Sequence, residues 1–285
     1  MKIDRSPILV VGATGRQGGA AARHLLQNGW PVKGMTRDRT KPSAKALEEL
    51  GAEIVEADLE DRDSLDNALR GVYGVFGVIT PFEKGVDSEV RQGKNLVDAA
   101  KEAGVGHFVY SSVGGADRNT GIPHFESKWQ IENYLAASDL PSTILRPVFL
   151  MENFRFPRNK AAILSGRLES TLDPEVPQQM LAVDDVGRFA AMAFGDPETW
   201  KGRALEIAGD EMTMPQAAEA FTRALGIKVR YVRIDLEAIK DPDRRAMMAW
   251  FQKAGYQADI PYLRRICPQM MTLEDWLKIS GWADQ

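Results

Sequence analysis

The sequence predicts an α/β fold built on a doubly wound parallel sheet, with a smaller lobe after it. Two observations lead there. Near the N-terminus, "SPILVVGATGRQGGAAARHLLQNG" passes from an apolar run through a glycine-rich turn into a helical pattern. From there to Pro147, short apolar segments alternate with helical ones, the tempo of parallel strands joined by crossover helices.

Ile8, Leu9, Val10 and Val11 form a branched, uninterrupted run suited to a strand buried on both faces. Ala22, Leu25 and Leu26 recur at helical spacing, and Gly29 is the stop signal. Between them, Gly12, Gly15 and Gly18 follow one another at three-residue spacing. Glycine admits positive φ and lets backbone N–H groups approach a ligand at an electropositive helix N-terminus. A diphosphate suits that place. Taken alone, the pattern also fits a turn that merely connects two elements.

"WPVKGMTRD" reads as the second strand, followed by a helix near Ser43 to Leu50, and "AEIVEADL" as the third strand. "DRDSLDNALRG" is a short helix with acids in its first turn and Gly71 at its end, and "GVFGVITP" is the fourth strand. A longer helix follows, with Asp87 or Ser88 as its cap and Val90, Val97, Ala100 and Ala103 on one face. "HFVYSSV" is the fifth strand, a helix runs from about His124 to Ala137, and "STILRP" is the sixth strand.

Beyond Pro147 the regularity breaks. "VFLMENFRFPRN" is apolar, aromatic and interrupted by proline. "AVDDVGRFAAMAF" reads as a helix capped by Asp184 or Asp185, "RALEIAG" as a strand and "MPQAAEAFTRALG" as a helix. The last segment is rich in methionine and aromatics, and Thr272 with Asp275 forms a capping box before "LEDWLKISG". No linker or repeat separates the two parts, so a shared interface is expected.

Composition narrows the function. The 285 residues are 44% hydrophobic and 27% charged, an ordinary globular balance. A net charge of −4, with no helix-turn-helix pattern or basic stripe, argues against direct nucleic-acid binding. Cys267 is the only cysteine, which excludes an internal disulfide, favours a reducing compartment and reads as a buried structural thiol. One cysteine and three scattered histidines give no metal-ligand spacing, so no metal is expected. No apolar stretch approaches the ~20 residues that cross a bilayer. The N-terminal apolar run leads into the glycine turn rather than a cleavage site. The expected location is the cytoplasm, without membrane attachment.

The end of the second strand bears on which nucleotide is bound. An acid there meets ribose hydroxyls, whereas an arginine pairs with a 2′-phosphate. This strand ends in Thr36 and Arg37, with Arg39 and Lys41 close behind, and the nearby acid, Asp38, stands one place late. The cations favour NADP(H) over NAD(H), against the plainer reading of a solvated charged loop. Arg16, inside the glycine turn, adds another cation.

"HFESKWQIENYL" is the second informative stretch. At ~100° per residue, His124, Lys128, Ile131 and Leu135 share one stripe, which Ile131 and Leu135 mark as inward. Lys128 has two readings: it snorkels to water, or it lines a cleft near the strand-end serines Ser111 and Ser112 and binds ribose or exchanges a proton. His124 is a candidate proton donor or a structural histidine.

On "GATGRQGG", "MTRD", "ADLED", "SSVGGAD", "HFESKWQIENYL", "STILRPVFLMENF" and "MTLEDWL", the chain resembles the NmrA-like family, an atypical branch of the short-chain dehydrogenase/reductases. The arginine and the "HF..K" stretch resemble members that bind NADP(H) as a redox sensor. The resemblance implies a Rossmann domain over 1–150 and a smaller, partly interleaved α+β lobe over 151–285, with about 178–209 returning to the large sheet. It implies coenzyme contacts from Gly12, Ala13, Thr14, Gly15, Arg16, Gln17 and Gly18, from Arg37 and Lys41, and from Asp58 and Leu59 beside the adenine. Ile79, Thr80, Pro81 and Lys128 are implied as well, and Glu152 and Asn153 at the nicotinamide end.

One departure matters. Active short-chain dehydrogenases use a Tyr-x-x-x-Lys pair, and here His124 occupies the tyrosine position before Lys128. Tyr110 precedes Ser111 on the strand and points to the opposite face. "FESKWQIE" is also similar to isoflavone-reductase-like enzymes, which work without that tyrosine. Two functions are therefore expected. The first is an NADP(H)-binding sensor or regulator acting on a protein partner. The second is an NADPH-dependent reductase of a small apolar, quinone- or enone-like substrate, with Lys128 and His124 as catalytic groups. A homodimer is the expected assembly.

Overall fold

The computed structural model describes residues 5–282. The outermost residues of the ranges 1–150 and 151–285 lie outside the described residues. β1 (Ile8–Val10), β2 (Val32–Thr36), β3 (Glu53–Glu56), β4 (Gly74–Gly77), β5 (His107–Ser111) and β6 (Ser142–Pro147) alternate with five helices. These are α1 (Arg16–Gln27), α2 (Pro42–Glu49), α3 (Arg62–Leu69), α4 (Val86–Glu102) and α5 (Pro123–Ala137). The chain continues through β7 (Phe149–Leu150), α6 (Pro157–Leu164), β8 (Arg167–Ser170), β9 (Pro177–Leu181), α7 (Val183–Gly195) and α8 (Pro197–Trp200). It ends with β10 (Ala204–Ile207), β11 (Asp210–Thr213), α9 (Met214–Leu225), β12 (Arg230–Arg233), α10 (Pro242–Lys253), α11 (Ile260–Ile266) and α12 (Leu273–Ile279).

β10 returns to pair in parallel with β6 and completes a seven-stranded sheet of order β10-β6-β5-β4-β1-β2-β3. Every pairing in it is parallel. This is the doubly wound α/β fold that the sequence predicts. Alternation along β1 explains the two-sided core. Ile8 and Val10 enter the cluster with Leu25, Val186 and Phe189, whereas Leu9 and Val11 enter the cluster with Leu65, Leu96 and Ile131. The strand order reverses between β1 and β4, and a crevice opens there at the carboxyl ends of the strands.

The remaining strands form two small sheets, β11-β9-β7 and β12-β8, over a separate core that includes Phe154, Phe221, Trp276 and Trp282. The segment 178–209 is divided between layers: β9 pairs in the three-stranded sheet, while α7 and β10 lie with the large one. No helix among the described residues is long and apolar enough to cross a membrane.

Local details correct three sequence expectations. α4 starts at Val86, with Gly85 in the capping position at φ 85°, so neither Asp87 nor Ser88 caps it. Its inward face is also turned: Ala103 is exposed, Val90 is half-buried, and Glu89, Gly93, Leu96, Val97 and Ala100 are buried. α7 starts at Val183, one residue before Asp184. Its first N–H is met from another element by the Glu152 carboxylate at 3.0 Å. Asp184 instead pairs with His24 at 3.0 Å, and Asp185 accepts from the Met271 backbone N–H at 2.9 Å. The Thr272–Asp275 capping box forms as expected, and Cys267 is free and buried.

α7 packs on α1 through small residues. A Cβ added at Gly187 would lie 2.5 Å from the Ala20 carbonyl oxygen, so the two helices approach backbone to backbone. Gly187→Ala is expected to destabilise the protein by about 1–3 kcal/mol, read as a lower urea midpoint. An unchanged midpoint would show that the two helices separate freely.

Candidate functional site

The crevice begins at the glycine turn. Gly12 has φ +64°, and a Cβ on Gly18 would sit 2.2 Å from the Gly12 carbonyl oxygen and 2.8 Å from that of Val11. Only hydrogen fits there, so α1 starts directly over the end of β1. Gly15 takes the capping position without a side-chain cap, and the first turn of α1 carries no acid. The first N–H groups of a helix have no intrahelical partner. This N-terminus is therefore electropositive, with no side chain capping it.

A cleft of about 330 Å³ extends from it across the ends of β1 to β4. Of the expected contact residues, Gly12, Thr14, Gly15, Arg37, Lys41, Asp58, Leu59, Ile79 and Thr80 line it together. Val11, Met35 and Ala57, all buried, give it an apolar floor. Arg37, Lys41 and Lys84 are its cations. Arg37 is bound by Glu83 at 2.7 Å across the rim, and both side chains are exposed. Asp38 is engaged elsewhere: its carboxylate accepts from the Thr40 hydroxyl and backbone N–H at 2.6 and 2.8 Å. Those bonds, the hydroxyl's first, hold its carboxyl below the ordinary range.

Other expected residues lie around the cleft rather than on its wall. Ala13 is buried, Gln17 accepts from the Ser111 hydroxyl at 2.6 Å, and the Arg16 guanidinium rests 4.8 Å above the Phe156 ring. Glu152 is committed to the lobe: it accepts from Val183 N–H and from Trp276 Nε1 at 2.9 Å. Burial raises its carboxyl above the ordinary range against those donors. The Asn153 carbonyl accepts from the Asn159 side chain. Neither Glu152 nor Asn153 reaches the cleft lining.

Lys128 does face inward with Ile131 and Leu135, both buried. It does not snorkel. Its Nζ donates to the Ile79 carbonyl at 2.8 Å and to Glu89 Oε1 at 2.7 Å, and the Glu89 side chain is fully buried. Ser127 donates to the other Glu89 oxygen at 2.5 Å. The ammonium also lies 5.7 Å over the ring of Tyr110, whose buried hydroxyl has no hydrogen-bond partner. Burial raises the Tyr110 phenol well above its usual range. His124, at the mouth of α5, bonds through Nδ1 to the Asp243 carboxylate of α10 and lies near the exposed Phe82 ring. Ser112 donates to the buried Glu132, which Arg146 clasps.

Sequence reasoning missed Glu83, Glu89 and Asp243. For Glu89 a signal exists, since it stands four residues before Gly93 and eight before Val97 on the apolar stripe of α4. Glu83 and Asp243 carry none, because only tertiary folding brings them to their partners.

The sheet order and its crevice define a Rossmann-type α/β protein. The model of the NmrA-like family matches residues 4–277, and the chain belongs to that family. It is 32% identical to an NmrA-like family domain-containing oxidoreductase of Aspergillus hancockii, over 79% of this chain and 74% of the relative. It is 29% identical to the nitrogen metabolite repression protein of Emericella nidulans, over 84% of this chain and 71% of the relative. Among solved structures, an Escherichia coli NADPH-dependent quinone oxidoreductase complexed with NADPH superposes with a TM-score of 0.79 at 26% identity, covering 95% of this chain and 98% of that one. NmrA, a negative transcriptional regulator in complex with NADP, shares the fold with a TM-score of 0.81 at 22% identity, covering 96% and 94%.

The Lys128–Glu89 pair is predicted to act as a unit. Lys128→Met alone strands a buried carboxylate and is expected to cost about 3–5 kcal/mol, whereas Lys128→Met with Glu89→Gln recovers most of it. Chemical denaturation of the three proteins checks this. A double variant as unstable as the single one would refute the coupling.

Proposed function

We propose that the protein is a cytoplasmic NADP(H)-binding sensor or regulator, in which coenzyme occupancy changes the arrangement offered to a protein partner or a second subunit. The observation that carries this reading is a contrast within the site. The cleft presents an uncapped helix N-terminus, a glycine cradle and three cations, while the proton-transfer groups beside it are engaged or sealed. In this reading Gly12 through Gly18 hold the diphosphate, with Arg16 and Gln17 steadying the turn. Arg37 and Lys41 take the 2′-phosphate, and Asp58 and Leu59 flank the adenine. Ile79, Thr80 and Pro81 border the dinucleotide, and Lys128 supports that border through the Ile79 carbonyl. Glu152 and Asn153 shape the far end rather than contact it. The buried, free Cys267 suits a reducing compartment.

One observation favours a second reading, an NADPH-dependent reductase of a small apolar quinone- or enone-like acceptor. A carboxylate on His124 Nδ1 orients the imidazole and leaves Nε2 as its other nitrogen for a proton. The coenzyme, when bound, supplies hydride. The oxidoreductase relatives and the quinone oxidoreductase neighbour support this alternative.

Titration with NADPH, NADP and NADH, each followed for turnover with a quinone and enone panel, separates the two. The sensor reading expects saturable binding, a coenzyme-dependent change in oligomeric state or partner affinity, and no sustained oxidation. Steady NADPH oxidation that falls in His124→Gln would replace it with the reductase.

The same titration tests the phosphate assignment. Arg37→Glu is expected to weaken NADP(H) binding roughly tenfold or more, with NAD(H) little changed. Glu83→Gln, by releasing Arg37, is expected to tighten NADP(H) relative to NAD(H). Equal losses of both coenzymes in Arg37→Glu would remove Arg37 from that role.

A further inference from the structure

We infer that the smaller lobe carries a second small-molecule site, separate from the coenzyme cleft, which takes an aromatic carboxylate. Its core leaves a space of about 90 Å³ walled by Phe149, Phe154, Leu168, Met214, Met248 and Phe251. Thr171, Ile234 and Met248 join this space to an outer groove of about 560 Å³. None of the residues around it lines the coenzyme cleft.

The walls select for a ring. Ser170 and Gln178 also stand on the wall of the inner space. At about 90 Å³ it is smaller than an apolar void of about 150 Å³ that accepts benzene, so a guest ring spans it and the outer groove. The flexible Met214 and Met248 thioethers give the extra room, and Phe edges and faces favour an aromatic guest. Two polar features select for an acid on that ring. Thr171, which borders both spaces, is 8% exposed, and its buried hydroxyl has no hydrogen-bond partner. A buried hydroxyl left so is costly, and a ligand oxygen answers it.

The rim charges point the same way. Arg244 lines the pocket from the exposed end of α10, and its guanidinium has no acidic partner among the described residues. Lys253, on the outer groove, has none either. The other charges are matched except Asp235, which lines the outer groove with no cationic partner among the described residues, so Arg244 and Lys253 outnumber it. Glu169 faces Arg158 and Arg167 at 3.7 and 3.4 Å, and Arg233 binds Asp173 at 2.6 Å. Asp235 accepts from the Glu237 N–H at 3.0 Å. A carboxylate therefore meets unanswered cations at the mouth while its ring enters the void.

The probe is 2-naphthoate, titrated by calorimetry into the full chain loaded with NADPH, with neutral 2-acetylnaphthalene as its comparison. Saturable 1:1 binding of 2-naphthoate is expected. Arg244→Gln is expected to weaken it about tenfold and to leave 2-acetylnaphthalene unchanged. Ala162→Met, which fills the void, is expected to abolish both without changing NADPH affinity. Should that variant fail to fold, Thr171→Val removes only the unpartnered hydroxyl and is expected to fold normally and bind 2-naphthoate more weakly. No saturable heat, displacement of 2-naphthoate by NADPH, or indifference to Arg244→Gln and to the second substitution would each overturn the site.

Discussion

The structure depends on one close approach of backbone to backbone. At Gly18 the first turn of α1 sits so near the Gly12 carbonyl that a methyl group could not be accommodated. That contact seats the helix N-terminus over the end of β1 and turns its unpaired N–H groups toward the crevice. The same helix then receives α7 at Gly187, and His24 of α1 meets Asp184 of α7. A turn of small residues thus fixes both an uncapped helix N-terminus over β1 and the docking of α7, which follows β9.

The acids show how tertiary demand overrides local expectation. Glu152, Asp185 and Asp210 accept from backbone N–H groups of Val183, Met271 and Leu273, all on other elements. Val183 and Leu273 are buried and Met271 half-buried, and for each N–H a carboxylate arriving from a distant segment provides the acceptor. For Asp185 the burial is severe enough to push its carboxyl up to about 6. These bonds interlock the Met151–Arg155 turn, α7, β11 and the chain entering α12.

Charge placement divides the site into two regions. Around the cleft the cations Arg37, Lys41 and Lys84 are open to solvent or held by an exposed acid, a state that an incoming phosphate can compete with. Beneath it Lys128 is locked to a fully buried Glu89, where neither charge is tolerable alone. A lysine so held gives positional support and a fixed dipole. His124 is tied through Nδ1 to Asp243 of α10.

The strands, the crossover helices, the glycine turn and the inward stripe of α5 were legible in the sequence because each follows from local periodicity and backbone sterics. Those same rules pointed to the glycine turn and to Arg37 and Lys41 after the second strand, whereas Asp58, Leu59, Ile79 and Thr80 were implied by the family resemblance. All line one cleft because strand ends in a doubly wound sheet converge by topology. What only the tertiary structure decided was which charges meet: Glu83 with Arg37, Glu89 with Lys128, Asp243 with His124, and Glu152 with the start of α7. Such pairings span dozens of residues and leave no periodic trace. Burial, which forbids an unanswered charge or N–H, selects the partner only once the chain has folded.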